Sequence, residues 1–221
     1  MLFKTKGIVF RFTRFGETSI VVNIFTALFG LQSYMVNGIR TSSSKSKMAL
    51  YQPLTLLDLV VYHRENANIM RIKEVQCYYA YQAINTDPVK SAQVMFLNEV
   101  LNKCVKEQSH AEELYEFLST SLISLDRQRV SPNFHLIFLL KLGKYLGFGP
   151  QNTMEILGGR LLEEKEETLL ERMIDSDYEN DLSINTEQRR NLLESLLQFY
   201  AAHVDAFGEI KSVNVLRTIL S

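Results

Sequence analysis

The feature that most constrains this chain of 221 residues is a change of hydrophobic period near residue 80. Before it, apolar and β-branched residues alternate in short runs, the pattern of half-buried strands. Gly7 to Thr13 alternates and puts Ile8, Phe10 and Phe12 on one face, and Phe15-Gly16-Glu17 reads as a turn. Thr18 to Thr26 is the second strand and Leu31 to Val36, after Phe29-Gly30, the third. A Ser/Lys-rich loop, Thr41 to Lys47, precedes Pro53 and a long apolar strand, Leu54 to Tyr62. After a turn at Glu65 to Asn68, Ile69 to Val75 alternates again. Five strands, with a third connection long enough for a helical turn, predict a small closed barrel of the OB type. Count and spacing alone also suit an SH3-like barrel.

From residue 81 the period is helical. Pro88 can open a helix, followed by Ala92, Met95, Phe96 and Val100 at three-four spacing. Glu112 to Leu125 is amphipathic. Ser131-Pro132 reads as an N-cap and first helical residue before Phe134 to Leu146, which is apolar nearly all round and so central. Gly147 to Pro150 ends it. Leu161 to Ile174, the stretch from Asn185 to Val204, and Lys211 to Leu220 supply further helices. The expected class is α+β: a five-stranded barrel over 1–80, then an all-α domain over 81–221.

The formal net charge of −1 hides an asymmetry. Residues 1–80 carry ten Lys/Arg against four Asp/Glu, a net of +6, and the remainder carries 14 against 21, a net of −7. A basic module joined to an acidic one points the first at a polyanion. No apolar run approaches the ~20 residues that cross a bilayer, and the first residues lack the pattern of a signal peptide, so a cytoplasmic protein is expected.

Enzymatic signals are weak. There is no GxSxG, P-loop, HExxH or GxGxxG. Two cysteines, Cys77 and Cys104, exclude a disulfide scaffold and read as small buried apolar residues. The four histidines are scattered, so no metal site, catalytic residue or cofactor is expected. Glu163 to Glu167 reads as a solvated helix face, and only loss of a measured hydrolysis on Glu→Gln changes would make it a site. The basic half offers more. Arg40, Lys45 and Lys47 lie in the Ser/Thr-rich loop, where cations and hydroxyls suit phosphates. Arg11 and Arg14 flank the first turn, and Arg71 and Lys73 alternate on the last strand, so each pair is expected to share one barrel surface. Seven aromatics interleave with them: Phe10, Phe12, Phe15, Phe25, Tyr34, Tyr51 and Tyr62. Most must be core, leaving one or two for base stacking.

These segments together resemble the bacterial recombination mediator family RecO. The resemblance runs through Lys6-Gly7-Ile8-Val9-Phe10, Phe15-Gly16-Glu17-Thr18-Ser19, Ile24-Phe25-Thr26, Phe29-Gly30-Leu31 and Asn37-Gly38-Ile39-Arg40. It continues from Tyr51 to Leu59 and through Ile72-Lys73-Glu74. In the second half it covers Leu139 to Pro150, with the family's Gly-Phe-x-Pro ending, and Ile210 to Leu216.

The resemblance implies an OB-fold followed by a helical domain, and a non-enzymatic role in a bacterial cytoplasm, close to the nucleoid. Members bind single- and double-stranded DNA, anneal complementary strands, and act with RecR and in some cases RecF. They help load RecA onto DNA covered by single-strand-binding protein (SSB), whose acidic C-terminal tail they bind. On that basis Arg40, Lys45 and Lys47 are the first candidates for DNA contact, with Arg11, Arg14, Arg71 and Lys73 next. Lys141, Lys144 and Phe148 are candidates for the SSB tail, although Phe148 equally suits a helix-end core plug. Many members carry a four-cysteine zinc finger after Gly-Phe-x-Pro. Residues 151–183 here hold neither Cys nor His, so that function does not carry over. The competing reading is a protein-interaction adaptor whose barrel binds no DNA.

Overall fold

A computed structural model describes residues 1–40, 45–65, 67–106, 111–157, 164–174, 176–178 and 182–220, the side chains of residues 45–46 and 164–166 excepted. The strands are β1 (Leu2–Phe15), β2 (Ser19–Thr26), β3 (Gly30–Val36), β4 (Leu56–Tyr62) and β5 (Met70–Tyr79). They close into a barrel in the order β1-β2-β3-β5-β4. All neighbours are antiparallel except β3 and β5, which meet in parallel through Tyr34↔Met70 and Met35↔Arg71. The connection from β3 to β4 holds a short helix, α1 (Lys45–Met48), and a 3-10 turn over Ala49–Tyr51. The barrel is an OB-fold, which decides between the two barrel types.

The barrel interior is filled by Val9, Ile20, Val22, Ile24, Tyr34, Leu57, Leu59, Val61 and Met70, with Tyr51 and Ile39 entering from the β3–β4 connection. Phe12 packs against this core, but Ile8 and Phe10 do not share its face. Phe10 is an extra residue: the register runs Val9↔Ile24 and then Arg11↔Asn23. That bulge shifts the alternation by one. Phe10 instead stacks on Phe25, with ring centroids 5.7 Å apart. A second bulge, at Lys73, lies between Val61↔Ile72 and Val60↔Glu74. Leu54, expected inside the fourth strand, precedes it with φ 61° and donates its N–H to the Val9 carbonyl. Gly16 takes φ 57° in the β1–β2 turn, a conformation most side chains resist.

The chain divides into two compact units. One holds Met1–Tyr81 with Val105–Leu122, and the other Gln82–Cys104 with Ile123–Ser221. In the first, the Tyr115 hydroxyl meets that of Tyr78 at 2.8 Å, which brings α3 (Ala111–Arg127) to β5. Burial pushes both phenols above their ordinary pKa.

The second unit is helical: α2 (Pro88–Cys104), α4 (Phe134–Tyr145), α5 (Thr153–Leu157), α6 (Glu164–Ile174), α7 (Thr186–His203) and α8 (Val213–Ile219). As its all-round apolar sequence requires, α4 is central, touching α2, α6 and α7. Its first residue is preceded by Asn133. Ser131 caps one turn earlier, its Oγ accepting from Asn133 N, because Pro132 lies in a turn and not in the helix. The start of α7 is a full capping box: Gln188 N donates to Asn185 Oδ1, and Asn185 N to Gln188 Oε1. The Asp126 carboxylate, 3% exposed, accepts from the backbone N–H groups of Gln82, Ala83 and Ile84. It thereby fixes the chain's entry into this unit. Cys104 is buried as expected, but Cys77 is exposed. The Gly158-Gly159 break lies outside the described residues.

Two stability outcomes follow. A Cβ on Gly7 would lie 2.6 Å from Ile24 Cγ2 and 2.8 Å from Leu59 Cδ1, inside the barrel. Gly7→Val is therefore expected to cost about 1–3 kcal/mol in urea unfolding. His135 on α4 is wholly buried, and neither ring nitrogen is hydrogen-bonded among the described residues. Burial holds its pKa down to about 3, and the Arg189 charge adds to the shift. The unfolded chain takes up this proton below about pH 6.5, where the folded chain stays neutral. Stability thus falls as pH drops from about 6.5 towards 3, by up to about 1.4 kcal/mol per pH unit from this group. His135→Leu should flatten that part of the curve, read as melting temperature against pH. An unchanged curve would mean that another group sets it.

Candidate nucleic-acid interface

The registers place the basic residues of the barrel. Residues opposite one another in neighbouring strands point to the same side. Arg11 faces Asn23, and Asn23 faces Ser33, to which its Nδ2 donates at 3.2 Å. Arg71 faces Met35, which faces Val21. Asn23 and Val21 alternate with the interior residues Ile20, Val22 and Ile24, so both rows lie on the outer surface. The outer face of β2 and β3 is therefore neutral, with Arg11 on its β1 flank and Arg71 on its β5 flank. Neither strand contains an acidic residue. Both arginines are exposed, and neither is hydrogen-bonded or ion-paired among the described residues.

Arg14 lies three residues beyond Arg11 and so on the opposite face of β1. It pairs with Ile20 at the barrel's end. The spacing that made Arg11 and Arg14 look like one surface pair separates them. Arg40 comes to the same end: its Nη1 donates to Gly16 O at 3.0 Å and its backbone N–H to Thr18 O. Lys73, at the bulge, forms an exposed ion pair with Glu74 at 3.4 Å, so part of its charge is offset. Lys47 is exposed on α1. Lys45 has its backbone in α1, and its side chain lies outside the described residues, as does the Thr41–Ser44 part of the loop.

Of the seven barrel aromatics, Phe15 and Tyr62 are exposed, at 55% and 45%. Phe10, Phe25, Tyr34 and Tyr51 are buried, and Phe12 is half-buried. This matches the expectation that one or two reach solvent. Reading the basic residues by sequence missed Arg64, in the β4–β5 loop beside Tyr62. The usable signal was the alternation of β4, which puts Tyr62 out of phase with the interior residues Leu57, Leu59 and Val61.

In the helical unit, Lys141 pairs with Asp177 and lies 5.4 Å from the Tyr178 ring centroid. Lys144 is exposed and donates to Ile174 O at 3.4 Å. Phe148 is half-buried, stacked on His203 at 5.2 Å and edge-on to Tyr200 at 5.1 Å. A β-carbon on Gly149 would fall 2.7 Å from Lys144 Cα, so the Gly-Phe-x-Pro ending folds closely back on α4. Among the described residues no three His, Cys, Asp or Glu are grouped to hold a metal, and no helix is long and apolar enough to cross a membrane.

The family model for recombination protein O, N terminal, matches residues 1–81, and that for its C terminal matches 85–166. The chain is 36% identical to the DNA repair protein RecO of Flavobacterium johnsoniae, with all of both chains covered. It is 32% identical to that of Christiangramia forsetii and 29% to that of Bacteroides fragilis, with 99% of each chain covered. The OB barrel, the helical unit and full-length similarity at this level agree: the chain belongs to the RecO family of DNA repair and recombination proteins.

Proposed function

We propose that this protein is a recombination mediator that binds single- and double-stranded DNA and anneals complementary strands. Acting with RecR, it helps load RecA onto SSB-coated DNA. The observation that carries this reading is the neutral outer face of β2 and β3, flanked by the unpaired guanidiniums of Arg11 and Arg71. Two strands anneal when their phosphates are neutralised and their base edges stay available. Cations at the margins of a neutral sheet suit that better than base-reading side chains. The basic balance of the first 80 residues and the acidic balance of the rest also favour a DNA-binding barrel.

In the same reading, Arg40, Lys45 and Lys47 add phosphate contacts, with Arg14 and Lys73 as outlying cations. In this reading residues 1–80 are the DNA-binding module, residues 105–122 pack into the same compact unit, and the remaining helical part contains 151–183 as a metal-free counterpart of the family's zinc finger. Lys141 and Lys144 are the proposed cations for the SSB tail, beside Phe148. The Lys141–Asp177 pair supports this, because an incoming acidic peptide can take the place of one exposed carboxylate. RecF and RecA are the remaining proposed partners.

Annealing of complementary oligonucleotides, bare and SSB-coated, tests the function directly. Fluorescence anisotropy should show single-strand affinity falling steeply with salt. Arg11→Glu and the double change Lys45→Glu with Lys47→Glu should each weaken binding, and Arg11→Ala should lower the salt slope by roughly one. If the wild-type chain shows no salt-sensitive DNA binding, the adaptor reading replaces this one.

A further inference from the structure

One cross-strand row of the barrel surface holds groups that the charge argument does not use. Leu2 of β1 faces Tyr62 of β4, Tyr62 faces Arg71 of β5, and Arg71 faces Met35 of β3. All four share the outer face. Leu2 is 48% exposed and Tyr62 45%, large values for apolar and aromatic side chains lying next to one another. Where β4 ends, the chain turns through Arg64 and Ala67 to Ile69, itself 46% exposed. The loop and the strand ends enclose a cleft of about 520 Å³ lined by Tyr62, Arg64, Ala67, Ile69, Met70 and Arg71. Two arginines and one exposed aromatic ring thus line the same cleft, with no carboxylate in the lining among the described residues. Neither guanidinium has a hydrogen bond or ion pair among the described residues.

We infer that this cleft is a stacking site for an unpaired DNA strand: Tyr62 takes the face of a base, and Arg64 and Arg71 hold the phosphates on either side. Three properties of the cleft select that ligand. Its volume is in the range of small-ligand pockets, large enough for a nucleotide and too small for a folded partner. An exposed tyrosine beside apolar neighbours gives a π-face that any base can cover, whatever the sequence. The paired guanidiniums supply the charge complement of a phosphodiester. A duplex keeps its bases stacked on one another, so it can meet the arginines but cannot cover Tyr62. The cleft therefore discriminates strand state. A mediator of annealing needs that distinction, since it must grip the strands before pairing and loosen its grip on the product. A neighbouring cleft of about 510 Å³ shares Arg64 and Ala67 and is lined as well by Met1, Phe3, His63 and Glu65. His63 lies flat on Phe29 there, centroids 3.8 Å apart, which stiffens the base of the loop.

This inference rests on the proposed DNA-binding function and is tested so that the two can fail separately. The probes are a fluorescein-labelled oligothymidylate and a hairpin duplex of matched charge, titrated with the full chain. Tyr62→Ala should weaken oligothymidylate binding about tenfold and change duplex binding by less than about twofold. Tyr62→Phe should retain the wild-type affinity, which also shows that the exposed position tolerates change. The double change Arg64→Ala with Arg71→Ala should lower the salt slope on oligothymidylate by roughly two. Unaltered oligothymidylate binding in Tyr62→Ala, with Arg11→Glu still weakening it, overturns the cleft and leaves the function standing. That outcome would instead fit a protein ligand. Equal losses on both probes overturn the stacking role in favour of a phosphate-only surface. If the wild-type chain binds neither probe, inference and function fall together.

Discussion

Strict alternation is what a barrel strand obeys, and breaking it at chosen points, two of them beside charged residues, is what this barrel depends on. Val9 and Phe12 both serve the interior, although three residues apart they should point to opposite sides. The extra residue at Phe10 makes that possible, and it turns Arg11 outward between them. On β5 the extra residue at Lys73 does the same for Ile72 and Val75, and it lets Glu74 face solvent. Without these two insertions, either an arginine or a carboxylate would be driven into an apolar core, or the core would lose a filling side chain. Charge on the wall and closure of the wall are thus settled by the same local geometry.

Much of this was legible in sequence, and what was not has a common cause. Strand number, the helical turn before β4, the central α4 and the Asn185 start of α7 follow from periodicity and capping chemistry, which act within a few residues. The face occupied by Ile8 and Phe10 does not follow, because a bulge is decided by pairing with a strand some fifteen residues away. Leu54 looks like the first residue of a strand by composition. Its left-handed backbone is imposed by a hydrogen bond to Val9. β5 runs on to Tyr79 because Leu56 and Leu57 pair with Tyr79 and Cys77, although Gln76-Cys77-Tyr78-Tyr79 alone shows no alternation. For the candidate site, sequence located the cations. It did not show which of them share a surface. Arg11 and Arg71 come to flank the same face of β2 and β3 only through the barrel order, while Arg14 and Lys73 are set apart by strand parity and by Glu74.

The helical unit illustrates a different economy. Its helix ends and entry segment are held by charged groups, most of them buried, aimed mainly at backbone. Asp126 gathers three N–H groups. Arg189 donates to Asn133 Oδ1, Ile184 O and Leu220 O, and Lys103 to the carbonyls of Phe207 and Glu209. These charges saturate main-chain groups that irregular connections leave over. Several charged residues of this unit are therefore committed to architecture. Its surface charge is smaller in variety than its composition suggests, and a count of residues overstates what it offers a partner.

Arg40 sits between these two uses of charge. One arm of its planar fork is held by the Gly16 carbonyl, so the side chain no longer samples the conformations open to a free surface arginine. An anion arriving at the remaining N–H groups would meet a group already oriented and would incur little of the entropy that immobilising a long side chain demands. A lysine in this position would carry the same charge without the planar fork, and would lose that preorganisation.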